Sequence, residues 1–156
     1  MLRKQERRDQ GLAFEPSTAG VFCYEFIVSE SDIDGNGHVN NVAYVQWMQD
    51  VAIRHATASS SVAAMGDNVG TWVARSHHID YLRPAFAGDR VQASTWIDEL
   101  RRVRARRRYR FVRVSDGVVL ARGETDWVYI NKDSGRPRAI PEEIRAASTL
   151  VSDEHA

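Results

Sequence analysis

Cysteine is all but absent from this chain. The 156 residues hold one, Cys23, which excludes an intramolecular disulfide and suits a reducing compartment. It lies in the apolar run Val21-Phe22-Cys23-Tyr24-Glu25-Phe26-Ile27-Val28 and so reads as a core thiol, not a nucleophile. Lysine is nearly missing too: Lys4 and Lys132 stand alone, and arginine supplies the remaining positive charge. Net charge is zero, with 21 basic and 21 acidic residues, so global charge selects no partner. No apolar run approaches the ~20 residues of a membrane span. The charged start Met1-Leu2-Arg3-Lys4-Gln5-Glu6-Arg7-Arg8 has no apolar region behind it. Together these absences lead us to expect a soluble, cytoplasmic protein that binds no membrane. Its length suits a single domain over residues 21–150, with residues 1–20 a loose, aperiodic lead-in.

What the sequence does contain begins with a strand-like run, Val21 to Ser29. Behind the loop that follows, Val42, Tyr44, Val45, Trp47, Met48, Val51, Ala52 and Ala56 recur at helical spacing as far as about Ser59. So broad an apolar stripe predicts a helix largely covered by other structure. Asn40 or Asn41 is placed to cap it, and Asp50 and Arg54 are placed to pair across one turn. After a polar loop from Ser59 to Gly70 the period becomes two. Thr71–Arg83, Arg90–Leu100, Arg102–Ser115 and Val118–Asn131 read as strands, the last two joined by a tight Asp116-Gly117 turn. Pro141 opens a short helix with acids in its first turn, and the tail beyond Leu150 reads as frayed. Strand, helix and four strands make an α+β pattern with an antiparallel sheet.

The stretch Ser31-Asp32-Ile33-Asp34-Gly35-Asn36-Gly37-His38-Val39-Asn40-Asn41 concentrates carboxylates, amides and an imidazole just before the helix. Its opening fits a calcium loop, but the twelfth position, where a Glu should clamp the ion, is Ala43. The preceding run is strand-like rather than helical, and no second such loop exists to pair with it. His77 and His78 are strand neighbours facing opposite ways, and no Cys or His stands elsewhere at ligand spacing, so no metal and no cofactor is assigned. A G-x-S-x-G elbow is also missing, which leaves carboxylate chemistry.

The pattern D-x-D-x-x-G-H-V-N-N-x-x-Y, from Asp32 to Tyr44, resembles the signature of the 4-hydroxybenzoyl-CoA thioesterase branch of the hotdog-fold thioesterases. Asp34 to Asn41 also resembles the plant acyl-ACP thioesterases. Two further blocks, His78-Ile79-Asp80-Tyr81-Leu82-Arg83-Pro84-Ala85-Phe86-Ala87-Gly88-Asp89 and Asp133-Ser134-Gly135-Arg136-Pro137-Arg138-Ala139-Ile140-Pro141, are similar to the same branch. The resemblance implies a hotdog fold: a five-stranded antiparallel sheet wrapped round a long central helix, in the order first, third, fourth, fifth, second strand. It implies a homodimer or homotetramer with sites at subunit interfaces, and hydrolysis of acyl-CoA. Acyl-ACP hydrolysis and acyl-CoA binding without turnover stay open beside it. Asp34 takes the position of the catalytic acid, as base or nucleophile. Asn36 and His38 match positions at which the plant enzymes place a catalytic Asn and His. Asn40, Asn41 and Tyr44 would lie against substrate, the amides near Asn40, Asn41 and Val42 polarising its carbonyl. For His38 a fixed loop role is an equal alternative, and for Asn40 and Asn41 capping is the stronger one.

Seven arginines fall between Arg101 and Arg110. On a strand Arg102, Arg104, Arg106, Arg108 and Arg110 share one face, while Arg107 lies on the other with Val103, Ala105, Tyr109 and Phe111. One reading is a solvated face guarded against edge pairing. The other is a site for coenzyme A phosphates or an acidic carrier protein, which makes Arg104 and Arg106 substrate-binding candidates. Aromatic residues do not interleave on that face, so no nucleic acid is expected.

Overall fold

The protein is described from a computed structural model, which covers residues 13–14, 19–59 and 69–152. Its strands are β1 (Ala13–Phe14), β2 (Phe22–Ile27), β3 (Gly70–Tyr81), β4 (Arg90–Leu100), β5 (Arg104–Arg113) and β6 (Val119–Asn131). The helices are α1 (Asn41–Ala58) and α2 (Glu142–Ala147). All strand pairs are antiparallel, in the order β1-β2-β4-β5-β6-β3. The five longer strands therefore take the order implied by the hotdog resemblance. None of the described helices is long and apolar enough to cross a membrane.

Helix α1, 18 residues long, lies against one face of this sheet. Ala43, Tyr44, Trp47, Met48, Val51 and Ala52, spaced by three and four, turn into the core. They meet Tyr24 and Phe26 of β2, Val91 and Ala93 of β4, Tyr109 and Phe111 of β5, and Leu120 and Ala121 of β6. Trp47 stands edge-on to Phe26 and to Tyr44, with ring centroids 4.8 and 4.7 Å apart. Each large side chain buried this way contributes about 1.5–3 kcal/mol relative to exposure. Gly123 lets the helix approach, because a Cβ there would sit 3.2 Å from the Met48 thioether.

β5 alternates as its sequence predicts. Ala105, Arg107, Tyr109 and Phe111 are buried, and the arginines between them are only partly covered. On that second face Arg104 pairs with Asp126, Arg106 with Asp98 and Glu99, and Arg108 with Asp98 and Glu124. Asp98, its side chain 6 % exposed, receives both Arg106 and Arg108. Burial alone would raise the Asp98 pKa, but the two guanidinium hydrogen bonds outweigh it and hold the carboxyl below its ordinary value.

Two expectations are corrected. The lead-in is not wholly loose, since Ala13 and Phe14 pair with Tyr24 and Cys23 and add a sixth strand. Nor does the tail fray directly after Leu150. The Val151 amide donates to the Ile97 carbonyl at 2.9 Å, and its side chain closes a small cluster with Val21, Cys23 and Trp96. Cys23 is the buried thiol expected, 3.3 Å from the Ser94 hydroxyl. The polar loop after Ser59 lies mostly outside the described residues.

Candidate active site

The motif loop is held at three levels. Ile33 and Val39 form an antiparallel bridge, and the Asp34 amide donates to the His38 carbonyl at 3.0 Å, so residues 34–38 close as a tight turn. Gly37, at φ 80°, supplies the left-handed residue that this turn requires. The Asn40 amide then donates to the Asp32 carbonyl, and the Asn40 side chain accepts from Val42 at 2.9 Å, capping α1. Asn40 is thus the cap, the first of the two candidates.

The second sequence block braces the first. The Val39 amide donates to the Ala85 carbonyl at 2.8 Å, and Val28 exchanges backbone hydrogen bonds with Gly88 and Asp89. Asp89 accepts from the Phe86 amide at 3.0 Å and lies 3.5 Å from Arg113 of β5. The turn after Pro84 is therefore a clamp on the Asp34 loop, which explains why the two blocks occur together.

Within the loop, Asp34 is half-buried, and its Oδ1 accepts the Asn36 amide at 2.8 Å. Among the described residues no donor reaches its second carboxylate oxygen. His38 is half-buried, with Nδ1 3.4 Å from the Val39 carbonyl oxygen, a distance that fixes the ring only weakly. Asn36 is exposed. Asp32 is buried, and its backbone anchors the loop to Ser29 and Asn40.

Three amides at the start of α1 were expected to face a substrate carbonyl. Two are committed inside the chain, Asn40 to Asp32 and Val42 to the Asn40 side chain. The amide of Asn41 finds no acceptor among the described residues. Beside it stands Tyr81, whose hydroxyl donates to the Asn41 carbonyl at 3.1 Å, with its own pKa raised by burial. Sequence reasoning did not single out Tyr81; its signal was its place in the second block, ahead of Arg83-Pro84.

Tyr44 lies in the core, 3 % exposed, packed on Trp47, Tyr81 and Phe111. Burial, reinforced by the Tyr81 phenol, pushes its hydroxyl up to about 12. Arg104 and Arg106 stand on the sheet face turned away from α1, toward the end of β5 opposite Phe111. Within one protomer neither converges with Asp34.

Residues 28–148 match the thioesterase-like superfamily. The chain belongs to that superfamily. Among curated relatives, the chloroplastic palmitoyl-acyl carrier protein thioesterase of Gossypium hirsutum is 26% identical over 135 residues, 80% of this chain and 32% of the relative. The dodecanoyl-[acyl-carrier-protein] hydrolase of Umbellularia californica is 27% identical over 80% of this chain and 35% of its own length. The chain thus spans about a third of these relatives. Of solved structures, a 1,4-dihydroxy-2-naphthoyl-CoA thioesterase from Synechocystis shares the fold with a TM-score of 0.74 at 23% identity, over 82% of this chain and 95% of its own. A Staphylococcus aureus protein solved in complex with CoA gives 0.76 at 19% identity, over 89% of this chain and 92% of its own. The superfamily match spans α1 and β3–β6, so the Asp34 loop and its clamp lie inside it.

Proposed function

We propose that this thioesterase-superfamily protein hydrolyses acyl-CoA, with Asp34 as the reacting carboxylate. The observation that carries the reading is a half-buried Asp34 in the loop that leads into the capped helix α1, whose Asn41 amide finds no acceptor among the described residues. Asp34 draws a proton from water, or attacks the thioester carbon itself. The carbonyl oxygen gains charge as the nucleophile adds to the carbonyl carbon, the Asn41 amide and the positive end of α1 stabilise it, and its collapse breaks the C–S bond. CoA thiolate leaves. Attack by water gives the free acid directly, while attack by Asp34 leaves a mixed anhydride that a water molecule hydrolyses to the free acid, restoring the carboxylate. Asn36 and His38, one on each side of Gly37, position water at the carboxylate. Arg104 and Arg106 brace strands rather than bind phosphates, because both already hold carboxylates.

A second carrier, acyl carrier protein, is favoured by one observation: the curated relatives named above act on acyl-ACP. The sheet is proposed to curl round α1 in a cytoplasmic homodimer or homotetramer. Following thiol release across matched acyl-CoA and acyl-ACP panels tests the reading. We expect turnover with CoA thioesters. Turnover of acyl-ACP alone reassigns the carrier, and binding without any turnover leaves a non-catalytic acyl-CoA-binding protein.

A further inference from the structure

Away from the Asp34 loop, the C-terminal half of α1 and the sheet border a half-open cavity of about 250 Å³. Ala52, Ile53, Trp72, Ile97 and Trp127 make much of its wall, and Arg107 is the one ionisable side chain among its described lining residues. Arg107 is 8 % exposed. Its Nη1 donates to His55 Nδ1 at 2.8 Å and to Thr95 Oγ1 at 3.1 Å, both neutral acceptors. No carboxylate among the described residues pairs with it, and Nε and Nη2 find no acceptor there.

A guanidinium cannot shed its charge in a protein, and a buried charge without a counter-ion is costly. Arg104, Arg106, Arg108 and Arg113 of the same strand show the usual remedy, since all four hold acids. Arg107 has no such acid among the described residues, and it is the one arginine that lines this apolar cavity. Packing does not call for a charge at a place walled by alanine, isoleucine and tryptophan. A carboxylate arriving from outside would meet the two idle nitrogens as a planar fork and complete the pair. The cavity has room for a short apolar chain.

We propose that this cavity binds an amphiphilic carboxylate, with the acid group on Arg107 and the apolar body along α1. The carboxylate has two possible sources: a free short- or medium-chain acid, or the far end of an acyl group that carries a second acid. The site itself does not depend on the assignment of Asp34.

The test titrates the intact protein with octanoate and with 1-octanol, which share an apolar body and differ in charge. Trp72 and Trp127 in the wall report occupancy by fluorescence, with calorimetry alongside. Octanoate should bind at least about tenfold more tightly than octanol, and Arg107→Met should erase that preference. Circular dichroism verifies that the variant folds. Arg107→Lys, which keeps the charge without the fork, should retain part of the preference and guards against a misfolded Met variant. Equal binding of the two probes, no saturable octanoate signal, or unchanged octanoate binding by a folded Arg107→Met would overturn the site. Asp34→Asn should bind octanoate as the wild type does, so failure of the hydrolysis reading is separable from failure of this one. Thiol release from octanoyl-CoA and octanedioyl-CoA identifies the source. A lower KM for the diacid, lost in Arg107→Met, places the carboxylate on the acyl group; inhibition by octanoate without that preference places it on the free acid.

Discussion

His55 shares its Nδ1 lone pair with Arg107 and stacks on Phe22 at 5.6 Å. Arginine only donates, so the imidazole proton must sit on Nε2. Burial first, and the neighbouring guanidinium second, lower its pKa from 6.5 to about 4. The unfolded chain therefore takes up a proton between pH 6.5 and 4 that the folded protein refuses. Stability is full above pH 6.5 and is lost as the pH falls through that window, by at most about 3 kcal/mol. We predict that the melting temperature drops between pH 7 and pH 4.5, and that His55→Gln flattens the drop. Parallel melts of wild type and variant decide it; superimposable pH profiles would exclude His55 as a source.

The helix that presents Asn41 rests on one side chain at its start. Asn40→Ala removes the acceptor of the Val42 amide and should cost about 1 kcal/mol by denaturant titration, while Asn40→Asp should cost little. On β5, Arg106→Ala breaks the contacts to Asp98 and Glu99. If this arginine only braces strands, its KM change should be the same for a CoA thioester and for a pantetheine thioester lacking the nucleotide. A rise confined to the CoA thioester would return Arg106 to the substrate site. These elements show how far sequence carries. The alternation of β5, the Asn40 cap and the Asp116-Gly117 turn are local patterns and were legible. β1 was not, because two residues are too few to set a period. Val151 was not either, since a single apolar residue in a tail does not say what it covers. The sites divide the same way. Asp34, Asn36 and His38 are close in sequence, but Tyr81 meets Asn41 across 40 positions and Arg107 meets His55 across 52. Only folding brings such pairs together.

Across the whole molecule the open edge of the sheet is the feature that asks for a partner. Among the described residues β3 ends the strand order, bonded on one side to β6, and it is 12 residues long with Val73 and Tyr81 exposed. A long free edge invites pairing with another strand. We predict a dimer at twice the 17.6 kDa of one chain by sedimentation, and a monomer at micromolar concentration would contradict it. Nor should the Asp32–Gly37 loop hold calcium below millimolar concentration, since Asp34 Oδ1 is engaged by Asn36 and Ala43 stands where the closing Glu belongs. Calorimetric titration with calcium checks this, and micromolar affinity would reopen the metal reading.

The proposed hydrolysis depends on Asp34. Asp34→Asn keeps the shape of the side chain and its acceptor for the Asn36 amide, and removes the charge and basicity. Thiol release from the best acyl-CoA substrate should therefore fall at least about 100-fold in kcat. Affinity for a non-hydrolysable acyl-CoA analogue should change far less, because the carboxylate acts in the transition state. The variant's mass must be verified first, since an Asn in such a site can hydrolyse back to Asp. Intact Asp34→Asn turning over its substrate near the wild-type rate would contradict the assignment.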